Sequence, residues 1–193
     1  RFCILSQTPY ERSIRNWFSF RNLDYTTVTY DNQKDLYAAF FDGKCDGITQ
    51  QVSALSTTII SSGKAADYLV LPEIVSNNAH GAFVRAGDDE WFDVVRWTIN
   101  ALIDAEQREI TRANVDSQLR TGTPEVKRLL GTPPDDAKLL GLDDKWAYNV
   151  IKQVGNYSEI FERNLGQGSR WKFPRGINAL WSNGGVLFPL PQR

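Results

Sequence analysis

The chain has 193 residues, of which 41% are hydrophobic and 23% are charged, and its formal net charge at pH 7 is −1. This is the composition of a globular protein that is long enough to bury a core. The nearly balanced charge disfavours nucleic-acid binding as a main function, and no apolar run approaches the length of a membrane span.

Segments typical of strands and helices alternate over the first part of the chain. FCIL at 2–5 is a short apolar run, and YTTVTY at 25–30 is rich in β-branched and aromatic residues, which favours a strand. Strands are predicted at 2–5, 25–30, 45–49, 68–73 and 81–87, and helices at 8–22, 32–43 and 52–63. Strands separated by helices of this length predict a parallel sheet with right-handed crossover connections.

Helical patterns replace this alternation after GDDEW at 87–91. Asp88 or Asp89 can cap a helix, and the apolar residues that follow recur at helical spacing, which predicts a core-facing amphipathic helix. That stripe consists of Trp91, Val94, Val95, Thr98, Ile99, Leu102 and Ile103. Further helical segments are predicted within 107–142, 143–168 and 175–185, without another strand. The apolar faces of 88–193 therefore either form a bundle or pack on something that the chain lacks.

Little in the sequence indicates catalysis or metal binding. His80 is the only histidine, no serine lies in a GxSxG motif, and the two cysteines do not form a CxxC pair. Paired aspartates at 88–89, 135–136 and 143–144 precede helical runs, where capping explains them better than acid–base catalysis. The sequence thus predicts a binding protein without metal or cofactor rather than an enzyme, and gives His80 a structural or hinge role.

The two cysteines, Cys3 and Cys45, both lie in predicted strands. Their spacing leaves two interpretations open. They are either two buried free thiols or one disulfide bond between neighbouring strands, and the disulfide would imply an oxidising compartment.

Several stretches together carry a family resemblance. They are the strand–SQTPYE–helix opening, DGKCDGITQQ at 42–51, the segment 71–106, VGNYSEIFERNLGQGS at 154–169 and RGINALWSNGG at 175–185. The chain resembles the general L-amino acid-binding periplasmic proteins, which are substrate-binding subunits of ABC transporters for polar amino acids. The resemblance covers essentially the whole chain.

The resemblance implies an α/β fold of the type II periplasmic-binding-protein class, in which two lobes close on a ligand. Residues 1–80 look like the second, inserted lobe, with a parallel-rich sheet and flanking helices. Residues 81–87 look like a crossing strand, with His80 and Gly81 at the hinge, and 88–193 like the mostly helical C-terminal part of the first lobe. The N-terminal part of that lobe is then not in the chain. The family's cysteines match Cys3 and Cys45, which favours a disulfide.

The same resemblance implies a periplasmic protein that holds a polar amino acid or related solute and delivers it to the membrane permease of an ABC transporter. Self-association or an N-terminal complementary fragment would cover the apolar faces of 88–193. The alternative is a sensory or protein-interaction module that kept the fold but lost ligand binding.

Ser6, Gln7, Thr8 and Tyr10 lie where the family has its turn for the ligand carboxylate, which backbone N–H groups at a helix start and a hydroxyl would bind. Of these residues, Ser6 and Thr8 match the family's turn. Gln7 replaces a glycine that lets the backbone approach a ligand closely, and Pro9 removes one N–H donor. A purely structural interpretation is also open, in which Thr8 caps the helix and Glu11 completes a capping box. The two roles can coexist.

Gln51 matches the position of an aspartate that pairs with the ligand ammonium in the family. A glutamine accepts a hydrogen bond but does not neutralise a charge. Three interpretations follow: a ligand without a free α-ammonium, compensation from a part of the site outside the chain, or lost ligand binding.

Overall fold

A computed structural model describes residues 1–71, 73–76, 79–134 and 136–190, with Asp136 described without its side chain. The chain divides into two compact units, Arg1–His80 and Gly81–Arg193, referred to as unit 1 and unit 2.

Unit 1 is built on a three-stranded sheet. Its elements are β1 (Phe2–Leu5), α1 (Pro9–Phe20), β2 (Thr27–Tyr30), α2 (Gln33–Phe41), β3 (Gly47–Ile48), α3 (Val52–Ser61) and a 3-10 turn (Ala65–Asp67). The strand order is β2–β1–β3, and both pairings of the central strand β1 are parallel. This confirms the predicted parallel α/β organisation.

The alternating side chains of β1 supply the core on both faces of the sheet. Cys3 and Leu5 pack with Leu36 and Ala39 of α2, whereas the Phe2 ring contacts the Phe18 ring of α1 with 5.3 Å between centroids. Successive residues of a strand point to opposite faces, so one buried strand holds a helix on each side.

A disulfide bond joins Cys3 of β1 to Cys45, which lies just before β3, with 5.6 Å between the α-carbons. Both residues are buried. The disulfide that the resemblance implied is therefore present, and it ties the central strand to the segment that leads into its neighbour.

Two predicted strands are wrong. Residues 68–71, 73 and 81–87 belong to no strand, and Pro72 lies outside the described residues. Leu69 and Phe83 are 78% and 98% exposed. A strand exists only where a neighbour accepts and donates its backbone hydrogen bonds, and these two segments have no such neighbour among the described residues.

Unit 2 is helical. Its elements are α4 (Asp89–Gln107), α5 (Val115–Thr121), α6 (Pro124–Leu129), a 3-10 segment (Asp136–Leu140), α7 (Trp146–Val154), α8 (Tyr157–Asn164) and two 3-10 turns (Gly176–Asn178 and Trp181–Asn183). Its core lies between α4, α5, α6 and α7, with α8 packed against it. The predicted succession of short helices over 107–168 is confirmed.

Helix α4 faces the core only in its second half. Residues 101–105 are buried, but Trp91 and Ile99 of the predicted stripe are 54% and 37% exposed. The prediction of a core-facing helix is thus right from Ala101 onward, and the first half of the helix keeps an apolar surface exposed.

The aspartate pairs differ in their roles. The Asp88 carboxylate accepts the Trp91 amide at 3.1 Å and caps α4 as predicted. Asp143 instead accepts the Lys145 amide at 2.9 Å, and Lys145 is the residue at the N-cap of α7, so capping by this pair is wrong. Asp135 lies outside the described residues.

The helix predicted at 175–185 is also wrong. Two 3-10 turns lie before and after Leu180, which forms a bridge with Leu187, and a Cβ at Gly185 would collide with the Ala179 carbonyl oxygen. The Arg175 guanidinium, which is largely buried, donates to both Glu106 carboxylate oxygens at 3.0 Å. Contacts distant in sequence therefore hold this segment against α4 as a tight fold-back.

Candidate ligand-binding site

Three polar residues, Ser6, Asp31 and Gln51, follow the three strands of unit 1 at equivalent positions. Leu5 pairs with Tyr30 in the β1–β2 register, so Ser6 and Asp31 are the next residues of adjacent strands. Cys3 pairs with Ile48 in the β1–β3 register, and Ser6 and Gln51 each lie three residues further along. All three therefore lie at the carboxyl edge of the sheet, where open α/β sheets bind ligands.

The central strand β1 is also where the strand order reverses. The chain passes from β1 to β2 on one side and returns to β3 on the other. A crevice opens outside the carboxyl ends of the strands at such a reversal. The predicted residues Ser6 and Gln51 follow the two strands that border it, Ser6 directly after β1 and Gln51 three residues after β3.

Ser6 is engaged within the chain. Its amide donates to the Tyr30 carbonyl oxygen at 2.8 Å, and its hydroxyl lies 2.9 Å from Asp31 Oδ1. A carboxylate has no hydrogen to give, so the serine is the donor. The Ser6 hydroxyl keeps only its acceptor lone pairs for another partner.

The turn after Ser6 brings the chain from β1 into α1. Gln7 has φ +57°, in the left-handed region where glycine is favoured. The Thr8 hydroxyl donates back to the Leu5 carbonyl oxygen at 2.7 Å and does not cap α1. Glu11 pairs with Arg15 at 2.9 Å instead. The predicted capping box is therefore wrong.

The Thr8 side chain does not cap α1, and none of the described residues provides a side-chain acceptor to the first-turn N–H groups of Tyr10 and Glu11, which also have no intrahelical partner. Pro9 occupies the first turn, where its missing N–H costs little. The start of α1 thus presents two backbone donors and the positive end of the helix dipole beside Ser6.

Gln51 is the residue before α3. Its side chain is exposed and makes no capping hydrogen bond to that helix, while its carbonyl oxygen accepts the Leu55 amide at 3.0 Å. The amide side chain is therefore available at the edge, but it carries no charge.

The predicted hinge pair lies at the division of the chain. Unit 1 ends at His80 and unit 2 begins at Gly81. Both residues are exposed. A hinge role for His80 and Gly81 stays a prediction.

Sequence reasoning missed Asp31. Its signal was available, because it follows the predicted strand at 25–30 just as Ser6 follows the strand at 2–5. The strand register was needed to place the two side by side.

A cavity of about 250 Å³ in unit 2 is lined in part by Asp104 and Arg108. The Arg108 Nε lies 2.8 Å from Asp104 Oδ1. Burial raises the pKa of the Asp104 carboxyl group, and Arg108 opposes that shift. No predicted site residue lines this cavity.

The described part of the chain contains no group of three or more His, Cys, Asp or Glu residues that could hold a metal ion.

None of the described helices is both long enough and apolar enough to cross a membrane. No protein-family model matches the chain.

Known proteins resemble the chain over nearly its whole length. It is 45% identical over 194 residues to the general L-amino acid-binding periplasmic protein AapJ of Rhizobium johnstonii, with 99% of this chain and 57% of that protein covered. It is 38% identical over 192 residues to the glutamate/glutamine/aspartate/asparagine-binding protein BztA of Rhodobacter capsulatus, with the same coverage of 99% and 57%.

A solved structure agrees with these relatives. The ABC transporter periplasmic binding protein from Brucella ovis with glutathione bound has a TM-score of 0.82 and 41% identity, with 98% of this chain and 60% of that chain covered. The fold is thus that of a periplasmic binding protein, over the portion that the chain spans. The chain is homologous to the substrate-binding proteins of amino-acid ABC transporters and spans about 57% of the length of those curated relatives.

Proposed function

We propose that the protein is the substrate-binding component of an ABC amino-acid importer and that it holds a polar amino acid or a related small solute. The observation that carries this proposal is that Ser6 and Gln51 both follow the carboxyl ends of adjacent parallel strands, in a chain homologous to amino-acid-binding proteins. The ligand-binding residues on this chain are Ser6, Gln7, Thr8, Tyr10 and Gln51.

The chemistry of the α1 start suits the ligand carboxylate. The Tyr10 and Glu11 amides are uncapped, and two backbone donors at the positive end of a helix bind an anion well. The Ser6 and Thr8 hydroxyls donate to Asp31 and Leu5, so a ligand carboxylate would rely on the backbone.

The compartment and the partners follow from the same proposal. A buried disulfide suits an oxidising compartment, and one relative is named as periplasmic. The protein is then periplasmic, hands its ligand to a membrane permease, and is not an enzyme. Unit 1 acts as one lobe, His80 and Gly81 act as the hinge, and unit 2 contributes to the other lobe.

Calorimetric titration of the protein at its native length tests the function. The probes are L-glutamate, L-glutamine and glutathione, and glycerol is the negative control. Micromolar or tighter binding of at least one probe is expected. Absence of heat with all three, for a protein whose circular dichroism shows it folded, would contradict the proposal.

Replacing Gln51 by aspartate tests the ammonium side of the site. Because an aspartate adds a negative charge where glutamine offers only a neutral acceptor, we expect Gln51→Asp to tighten binding of L-glutamine about tenfold. Gln50→Asp adds the same charge one residue earlier and is the matched control. Equal affinity of Gln51→Asp and the unaltered protein would remove Gln51 from the site.

The second candidate function is a sensory or protein-interaction module. It is favoured by the internal bonds of the Ser6 and Thr8 hydroxyls and by the neutral side chain at Gln51. Scattering profiles of the native-length protein that stay the same with every probe would support this alternative, since a transport protein closes on its ligand.

A further inference from the structure

The geometry points to Asp31 as the carboxylate that pairs with the ligand's α-ammonium, in place of the aspartate that Gln51 does not supply. This inference rests on the proposed function and names a residue for it. The resemblance assigned Asp31 no role, and its position follows from the strand register.

Asp31 lies at the same edge as the rest of the candidate site. It is the first residue after β2, directly beside Ser6 in the parallel register. Adjacent strands are about 4.8 Å apart, so Asp31 and Gln51 lie on either side of Ser6. An ammonium held at Ser6 is within reach of both, and only Asp31 carries a negative charge.

The Ser6–Asp31 hydrogen bond determines which hydrogen-bonding groups these two residues offer to a ligand. The hydroxyl donates to Asp31 Oδ1 at 2.9 Å, so its oxygen offers lone pairs and no hydrogen to a ligand. The second oxygen, Oδ2, retains its lone pairs for a further donor. Ser6 and Asp31 together form a group of acceptors that suits an ammonium and repels a carboxylate.

The two ends of an α-amino acid are then distinguished by neighbouring groups. The backbone donors of Tyr10 and Glu11 attract the carboxylate, and the acceptors of Ser6 and Asp31 attract the ammonium. The ligand class is accordingly a solute with a free α-ammonium next to a carboxylate. This adds a fourth interpretation of Gln51 to the three that the sequence left open, because the compensating charge then comes from Asp31, within the chain.

Asp31→Asn and Asp31→Glu separate an electrostatic role from a structural one. The asparagine oxygen still accepts the Ser6 hydroxyl, so Asp31→Asn removes the charge and keeps the local hydrogen bond. Asp31→Glu keeps the charge on a longer side chain. Asp24→Asn is the matched control, because Asp24 precedes β2 and lies at the opposite edge of the sheet.

The measurement is the dissociation constant of the native-length protein for L-glutamate, L-glutamine and glutathione, each of which has a free α-ammonium. Asp31→Asn should weaken binding of the probe that the unaltered protein binds by about tenfold to a hundredfold. Asp31→Glu should bind more tightly than Asp31→Asn, and Asp24→Asn should bind as the unaltered protein does.

Two results would overturn the inference while leaving the proposed function in place. One is an unchanged affinity of Asp31→Asn, and the other is an Asp31→Glu variant that binds more weakly than Asp31→Asn, as a purely structural role requires. If the folded, unaltered protein binds none of the three probes, the proposed function fails and this inference fails with it.

Discussion

In unit 1 the buried residues surround a short parallel sheet, and a disulfide joins the central strand to the segment before β3. In unit 2 the buried residues lie between helices, and polar anchors such as Asn156 and Arg175 hold the connecting segments. Unit 1 relies on a covalent cross-link to strengthen a small core, whereas unit 2 relies on packing and tight turns.

This difference means that the candidate site depends on the stability of unit 1 in particular. In unit 1 the strands bring Ser6, Asp31 and Gln51 to one edge, so whatever holds the strands also holds the site. Unit 2 contains none of the proposed ligand-binding residues. Changes that weaken unit 1 should therefore affect ligand binding more than equally costly changes in unit 2.

The largest effect on folding stability is expected from removing the disulfide. Cys3 and Cys45 are separated by 42 residues, and replacing both by alanine should cost about 4 kcal/mol through the freed entropy of the unfolded chain. Hydrogen exchange followed by mass spectrometry compares this variant with the unaltered protein. The exchange rate should increase more in β1 and α2 than in α4 and α7. Equal loss of protection in both units would contradict the comparison.

A steric test of unit 2 comes next. Gly131 has φ +83°, and a Cβ there would collide with the Asp144 carbonyl oxygen; Gly141 has φ +65° and open space around that position. Gly131→Ala should cost about 3 kcal/mol, and the control Gly141→Ala about 1 kcal/mol from backbone strain alone. Urea unfolding measures both. Similar costs would mean that the turn after α6 tolerates a side chain.

The buried amide of Asn156 has a smaller expected effect. Its Nδ2 donates to the Ile110 carbonyl oxygen at 2.8 Å, and its Oδ1 accepts the Glu159 amide at 2.9 Å as part of a capping box. Asn156→Ala should cost about 2 kcal/mol. The exposed Asn164, which bonds only locally to Ile160, is the control. Equal urea midpoints for Asn156→Ala and Asn164→Ala would refute this role.

The smallest effect is expected at Asp116 and depends on pH. Hydrogen bonds from Lys152 and Tyr148 lower the pKa of the Asp116 carboxyl group. A lowered folded-state pKa stabilises the fold above the unfolded value of about 3.9 and loses that effect as pH falls through the folded value. The difference in melting temperature between the protein and Asp116→Asn should therefore shrink from pH 7 to pH 3. A constant difference would argue against this linkage.

Local patterns were the reliable part of sequence interpretation. The helices at 8–22 and 32–43 and the cap at Asp88 depend on residues within a few positions of each other. The prediction at 175–185 was wrong because Arg175 is bound by Glu106, 69 residues away. The Thr8 capping box was wrong because the hydroxyl has a competing acceptor in Leu5, and spacing alone does not rank two acceptors.

The sequence by itself determined the class of fold, since the alternation of apolar strands and helices allows few arrangements of a parallel sheet. Through the family resemblance it also predicted a ligand-binding role for Ser6 and Gln51. Only the tertiary structure brought Asp31 beside Ser6. That contact depends on the register between β1 and β2, which backbone hydrogen bonds set between segments about 25 residues apart, and no local pattern in the sequence encodes it.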